Sequence, residues 1–227
     1  MGLISELFND LPMFLLRIPV ILLALSVHEA AHGFMADKLG DPTAKLTGRL
    51  SLNPLRHLDP VGALALLFLG FGWAKPVMVI ARNFKHPKRD MALTAAAGPV
   101  SNLLLGWLGI LFSRLFLFFV GLVPSLPEEG SFGLQVLIYT YQFLTLFASL
   151  NLSLAVFNLL PFPPLDGSRI FLQFLPAKWY FGIMKYEQYI QIALILLLWL
   201  GVLTPVLSFL VTNLWEGMEW TVSFIPV

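Results

Sequence analysis

Four apolar runs, each about the length of a bilayer-crossing helix, fill most of this chain and restrict the folds open to it. They cover roughly residues 11–36, 91–123, 132–160 and 190–211. A fifth run, 61–73, is shorter and broken by Gly62, Gly70 and Gly72. It reads as a re-entrant or interfacial piece rather than a full crossing. Only 12% of the chain is charged, against roughly 25% for a water-soluble domain. So few charges could not cover a water-facing surface on all sides. The expectation is an all-α membrane protein, one domain over residues 1–227. It has about four transmembrane helices and a short re-entrant or β-hairpin element between the first and second.

The connections carry the topological signal, because basic residues favour the cytoplasmic side. Residues 37–90 contain Lys38, Lys45, Arg49, Arg56, Lys75, Arg82, Lys85, Lys88 and Arg89, and the connection after the third run contains Arg169, Lys178 and Lys185. The 122–131 loop has only Glu128 and Glu129, and the tail after the fourth run has only Glu216 and Glu219. The two basic connections therefore share the cytoplasmic side, with both termini opposite. The first run is not expected to be a cleavable leader, since Glu6 and Asp10 precede it instead of a basic segment. There are no cysteines, which excludes disulfides, thiolate ligands and cysteine nucleophiles. No nucleic-acid partner is expected; the bilayer itself is the first partner.

Inside the first run lies His28-Glu29-Ala30-Ala31-His32. Ionisable groups at bilayer depth are costly and mark function by default. Histidines four apart share a helix face and can reach one ion. Imidazoles suit zinc, and a catalytic zinc keeps three protein ligands and one open position. Glu29, adjacent on the helix, is the candidate general base. For the third ligand, His57, Asp59, His86, Asp90 and Asp166 are candidates. Asp166 is favoured because the topology brings the end of the third run level with the histidine-bearing end of the first. Pro161, Pro163 and Pro164 end that helix and stiffen the chain, and Gly167 is expected to allow a sharp turn beside Asp166.

Three motifs now stand in order: His28 to His32, Gly98-Pro99-Val100-Ser101-Asn102, and Asn158 through Asp166-Gly167. Together they resemble the site-2 protease family of intramembrane zinc metalloproteases. The resemblance implies one Zn2+ per chain, held by His28, His32 and Asp166, with Glu29 as catalytic base and Asn102 and Asn158 near the cleft. It implies an endopeptidase that cuts within or near transmembrane segments of membrane proteins, in regulated intramembrane proteolysis. The implied setting is a bacterial plasma membrane, with the site towards the cytoplasm. Residues 40–60 and 70–77 resemble a compact branch of the family, without an inserted PDZ-like domain or nucleotide-sensing CBS repeats.

Each secondary residue has a bland reading beside the functional one. Asn102 and Asn158 could donate to a substrate carbonyl or developing oxyanion, or join helices across the membrane interior. His57 is a possible accessory, near the metal or the substrate, or a loop cap beside Asp59. His86 reads as solvated or touching headgroups. Arg17 is expected to snorkel, and Arg114 to find a helix neighbour or snorkel. Residues 73–80 favour an extended strand that could capture substrate by edge addition, or an ordinary hairpin. The gate is expected in the fourth run or in 61–73. The alternative function is a non-catalytic metal transporter, which accounts for the ligands but not for Glu29.

Overall fold

The structure, a computed structural model, describes residues 3–69 and 72–226. Gly70 and Phe71, which belong to the broken run and to the family-like stretch 70–77, lie outside the described residues. A short helix α1 (Leu3–Asn9) leads into α2 (Leu11–Leu39). The start of α2 is fixed by Asp10, whose carboxylate accepts the Met13 N–H at 3.1 Å, and by Pro12 in the first turn. Its end is fixed by Gly40 in the left-handed region, φ 109°. One turn, α3 (Thr43–Leu46), and a 3-10 turn at Pro54–Arg56 follow, and then α4 (Pro60–Leu69). Residues 72–80, without regular secondary structure apart from a bridge at Ala74, and a 3-10 turn at Ala81–Asn83 lead to α5 (Pro87–Gly121), which is followed by α6 (Phe132–Asn158). The remaining helices are α7 (Asp166–Leu172), α8 (Ala177–Met184), α9 (Glu187–Trp199) and α10 (Thr204–Thr221).

Helices α2, α5 and α6 are long and apolar enough to cross a membrane, and α8 with α9, bent by 56°, makes a fourth if taken as one broken span. Their packing is inverted relative to a soluble bundle. The buried set includes Ser26, His28, Glu29, His32, Thr94, Asn102, Ser113 and Asn151, while Leu23, Leu104, Phe112 and Phe119 are exposed. Apolar side chains outward and polar ones inward is the arrangement lipid imposes. This is an all-α integral membrane protein.

The α5–α6 contact rests on small residues. A Cβ on Gly106 would meet Leu152 Cδ2 at 2.4 Å, and one on Gly109 would meet Ala148 Cβ at 2.8 Å. Without these glycines the backbones could not approach so closely. Val222 and Ile225, beyond α10, complete a buried cluster with Ile110, Ala148 and Leu152. Arg114 finds the expected neighbour, donating to the Ile225 carbonyl at 2.8 Å. Arg17 pairs with Glu6 at 2.9 Å.

Two expectations change. The fourth run is not one helix over 190–211: α9 stops at Trp199, Gly201 takes φ 73°, and α10 starts with Pro205 in its first turn. A left-handed glycine followed by a residue without an N–H breaks the helix, although hydropathy runs through it. The element between the first two spans is a helix with an extended segment behind it. Among the described residues it carries no strand ladder, only one isolated antiparallel bridge, Leu58 with Ala74.

Candidate metal centre

His28 and His32 project from one face of α2, with ring centroids 4.6 Å apart and planes at 89°. Each ring is anchored through Nδ1. His28 Nδ1 is 2.6 Å from Asn102 Oδ1, and His32 Nδ1 is 2.8 Å from the Thr94 carbonyl. The Asn102 amide is itself oriented, since its Nδ2 donates to Asn151 Oδ1 at 2.8 Å and to the Ala24 carbonyl at 3.3 Å. Asn151 is fixed in turn by donating to the Phe147 carbonyl at 2.8 Å. Both partners of the Nδ1 atoms can only accept, so both Nδ1 atoms carry the hydrogen and both Nε2 atoms carry a lone pair.

Those two Nε2 atoms lie 3.0 Å apart, with Asp166 Oδ2 at 3.2 and 3.3 Å from them. Three electron-pair donors at that separation repel one another unless a cation lies among them. Ligands bound at ~2.0–2.1 Å in a tetrahedral site lie roughly 3.3 Å apart. Two nitrogens, one carboxylate oxygen and these spacings therefore fit zinc. Among the described residues this is the one cluster of three such side chains able to hold a metal.

Asp166 reaches the cluster from the first position of α7. Gly167 acts differently from the expectation. It has no positive φ; instead a Cβ there would meet the Leu159 and Leu160 carbonyls at 2.3 and 2.4 Å. Its role is to let α7 close against the end of α6. Gly98 of α5 does the same for the rings: a Cβ there would lie 2.5 Å from His32 Nε2 and 2.6 Å from His28 Cε1.

Glu29 is buried, and its Oε2 accepts the Val77 N–H at 2.9 Å. Residues 72–80 thus lie across the base, held at three backbone N–H groups. Lys75 donates to the His57 carbonyl at 2.7 Å, Val77 to Glu29, and Ile80 to Asp41 Oδ2 at 2.7 Å. Asp41 also accepts from Thr43 and from Asn83 Nδ2. Burial pushes its carboxyl up, but these hydrogen bonds outweigh burial and hold it below the usual carboxylate range.

None of the other ligand candidates joins the cluster among the described residues. His57 is buried with Nε2 2.7 Å from the Ser51 carbonyl. Asp59 caps the Gly62 N–H at 2.8 Å. Asp90 accepts the His86 N–H at 3.0 Å and pairs with Arg89. Asn158 is half-buried and donates to the Leu154 carbonyl at 3.0 Å. Asn102 is fully buried and engaged at both ends. Asn151, seven residues before Asn158 and so on the same face of α6, was not singled out in the sequence. An intramembrane amide two turns from another is the signal that could have found it. A cavity of about 590 Å³, largely apolar, opens beside Ser26 between α2, residues 54–74, α6 and α10, with Leu22, Leu25, Leu58 and Leu154 in its wall.

Comparison with known proteins agrees with this centre. The model of peptidase family M50 matches residues 16–201. The "Putative zinc metalloprotease YwhC" of Bacillus subtilis is 44% identical over 156 residues, 69% of this chain and 67% of that protein. The "Putative zinc metalloprotease Rip2" of Mycolicibacterium smegmatis is 29% identical and that of Mycobacterium tuberculosis 31% identical, each over 159 residues. These matches span 68% of this chain but only 55% of either mycobacterial protein. No solved structure matches the chain. Membership of a peptidase family sets the transporter alternative aside. The chain belongs to peptidase family M50, the site-2 protease family, and is an integral membrane zinc metalloprotease.

Proposed function

We propose that the chain, acting as one catalytic unit over residues 1–227, is an intramembrane endopeptidase. It would hydrolyse peptide bonds within or near transmembrane segments of other membrane proteins, as in regulated intramembrane proteolysis. His28 Nε2, His32 Nε2 and Asp166 Oδ2 would hold the zinc. The observation that carries the reading is their convergence at 3.0–3.3 Å, with a buried carboxylate, Glu29, next along the helix.

Zinc bound there supplies Lewis acidity, polarising a peptide carbonyl and making a water more acidic. The chain's own residues do the rest. Glu29 takes one proton from the water as its oxygen adds to the carbonyl carbon. It then returns that proton to the amide nitrogen as the C–N bond breaks, leaving a carboxylic acid, which keeps the water's other hydrogen, and an amine. The Val77 N–H, donating to Oε2, fixes the carboxylate's orientation. Asn102 keeps the His28 ring turned with Nε2 inward. Asn158 is the nearer candidate for a substrate contact, because Asn102 is already engaged at both ends. The apolar cavity beside Ser26 suits side chains of a peptide drawn from lipid. The basic loops support a site towards the cytoplasm, and the membrane in this reading is a bacterial plasma membrane.

The test uses the purified protein in lipid vesicles with transmembrane peptides as substrates. Glu29→Gln should retain about one zinc per chain and lose at least ~100-fold in turnover. Asp166→Ala should lose zinc. Wild-type turnover by the first variant, or full zinc in the second, would overturn the assignment.

A further inference from the structure

Lysines and arginines at a membrane surface usually meet a carboxylate or open water, and two of the cations near the end of α2 have a partner within the chain. Lys45 pairs with Asp37 at 3.7 Å, and Lys38 lies over the Phe34 ring, 4.5 Å from its centre. Arg49, Arg56 and Lys75 differ. They line one notch of about 450 Å³, and no carboxylate among the described residues pairs with any of them.

The two guanidinium groups are nevertheless fixed, and by neutral groups. Arg49 Nη1 donates to the Arg56 carbonyl, and Arg56 Nη1 donates to the Gly48 carbonyl. Gly48 makes the second contact possible. It takes φ 67°, and a Cβ there would lie 2.9 Å from Arg56 Nη1. Backbone carbonyls thus hold like charges side by side without neutralising them, which leaves the pair set to take a counter-charge from outside the chain. An arginine pair with a lysine beside it suits phosphate oxygens, which accept forked N–H pairs.

The surroundings say where that phosphate comes from. Leu55, which lines the notch, is 75% exposed, and nearby in the chain Leu46, at the end of α3, is 81% and Leu52 63% exposed. Three bare leucines beside three unneutralised cations, just beyond the end of a membrane-spanning helix, belong at the boundary between acyl chains and headgroups. Lys75 also joins the notch to the catalytic segment. Its N–H holds the carbonyl of His57, next to Arg56, and Val77 two residues on holds Glu29.

We propose that Arg49, Arg56 and Lys75 form a binding site for the phosphate of an anionic phospholipid, which fixes the depth of residues 72–80 relative to the headgroup plane. The proposal rests on membrane insertion alone, so it stands or falls separately from the peptidase assignment.

The test is native mass spectrometry of the full chain from neutral detergent, with phosphatidylglycerol and chain-matched phosphatidylcholine as probes. Wild type should retain phosphatidylglycerol about tenfold better. The Arg49→Gln/Arg56→Gln/Lys75→Gln variant should lose that preference while keeping its zinc. Gly48→Ala, which leaves the net charge unchanged but crowds Arg56, should weaken it as well. Lys85→Gln/Lys88→Gln, which removes basic residues elsewhere, should not. Equal retention of the two lipids by wild type, or equal loss in the Lys85/Lys88 variant, would overturn the site. Displacement of the lipid by inorganic phosphate would assign it to a free anion instead. Displacement by polyglutamate would assign it to acidic peptide, and either result overturns the lipid reading.

Discussion

A methyl group on Gly98 would sit 2.5 Å from both His32 Cε1 and Nε2 and 2.6 Å from His28 Cε1. Neither ring can swing away, because each is tethered through its other nitrogen, to Asn102 or to the Thr94 carbonyl. Gly98→Ala should therefore weaken zinc binding on the order of 10–100-fold, the range seen when groups that orient a ligand are disturbed. Competition with a chelating dye measures it; unchanged affinity would show that the rings have slack. Asn102→Ala should fall in the same range, because it frees His28 and leaves Asn151 without its buried donor. At this scale the sequence was most legible where partners are close along one helix, as His28 and His32 are. It was least legible where they meet across helices. Gly98 stood in the sequence only as part of a motif, and its neighbours turn out to be the metal-facing rings.

Residues 72–80 act as an element without a ladder, since only every second or third N–H is used: Lys75, Val77 and Ile80. Proline at 77 removes the donor to Glu29, and proline at 80 removes the donor to Asp41. The Met78 N–H makes no hydrogen bond within the described residues, so proline there removes no donor. Val77→Pro should lower turnover on the order of tenfold with zinc retained, the scale of one hydrogen bond to a charged group. Met78→Pro should stay near wild type; equal losses would mean the segment's stiffness matters rather than its donors.

Asp41 adds a pH dependence. Its carboxyl ionises more readily folded than unfolded, so its contribution is present above the unfolded value, about 3.9, and is lost as pH falls further through the folded one. In hydrogen exchange, protection of the Ile80 amide should exceed that in Asp41→Asn at neutral pH. The difference should shrink below about pH 4. A gap independent of pH would remove the carboxylate from the account. The strand-favouring composition of 73–80 yields only the isolated bridge at Ala74 among the described residues, and its contact with Glu29, 48 residues earlier, was not legible, because no periodicity encodes it. The break at Gly201 was legible in principle and was masked by averaging hydropathy over Pro205.

Across the whole molecule, the metal centre is also a joint. His28 and His32 come from α2 and Asp166 from α7, while α5 supplies the groups that orient the rings, and α6 supplies Asn151 behind Asn102. Four helices from distant parts of the chain therefore converge on three electron pairs that repel one another when no cation lies between them. The buried apolar cluster of Ile110, Ala148, Leu152, Val222 and Ile225 ties α5 to α6 and to the chain beyond α10, and it includes no residue of α2 or α7 to offset that repulsion. The metal must then contribute to holding α7 against α2 as well as to chemistry. A ligand present at ~1,000 times its dissociation constant stabilises by about 4 kcal/mol, and for a chain of this size that corresponds to a shift on the order of 10 °C. Chelation should lower the melting temperature of the detergent-solubilised protein by that much, and zinc should restore it. In Asp166→Ala the chelator should have almost no effect, because the joint is already open. If wild type melts at the same temperature with and without chelator, while losing its zinc, the helices hold themselves together and the centre serves catalysis only.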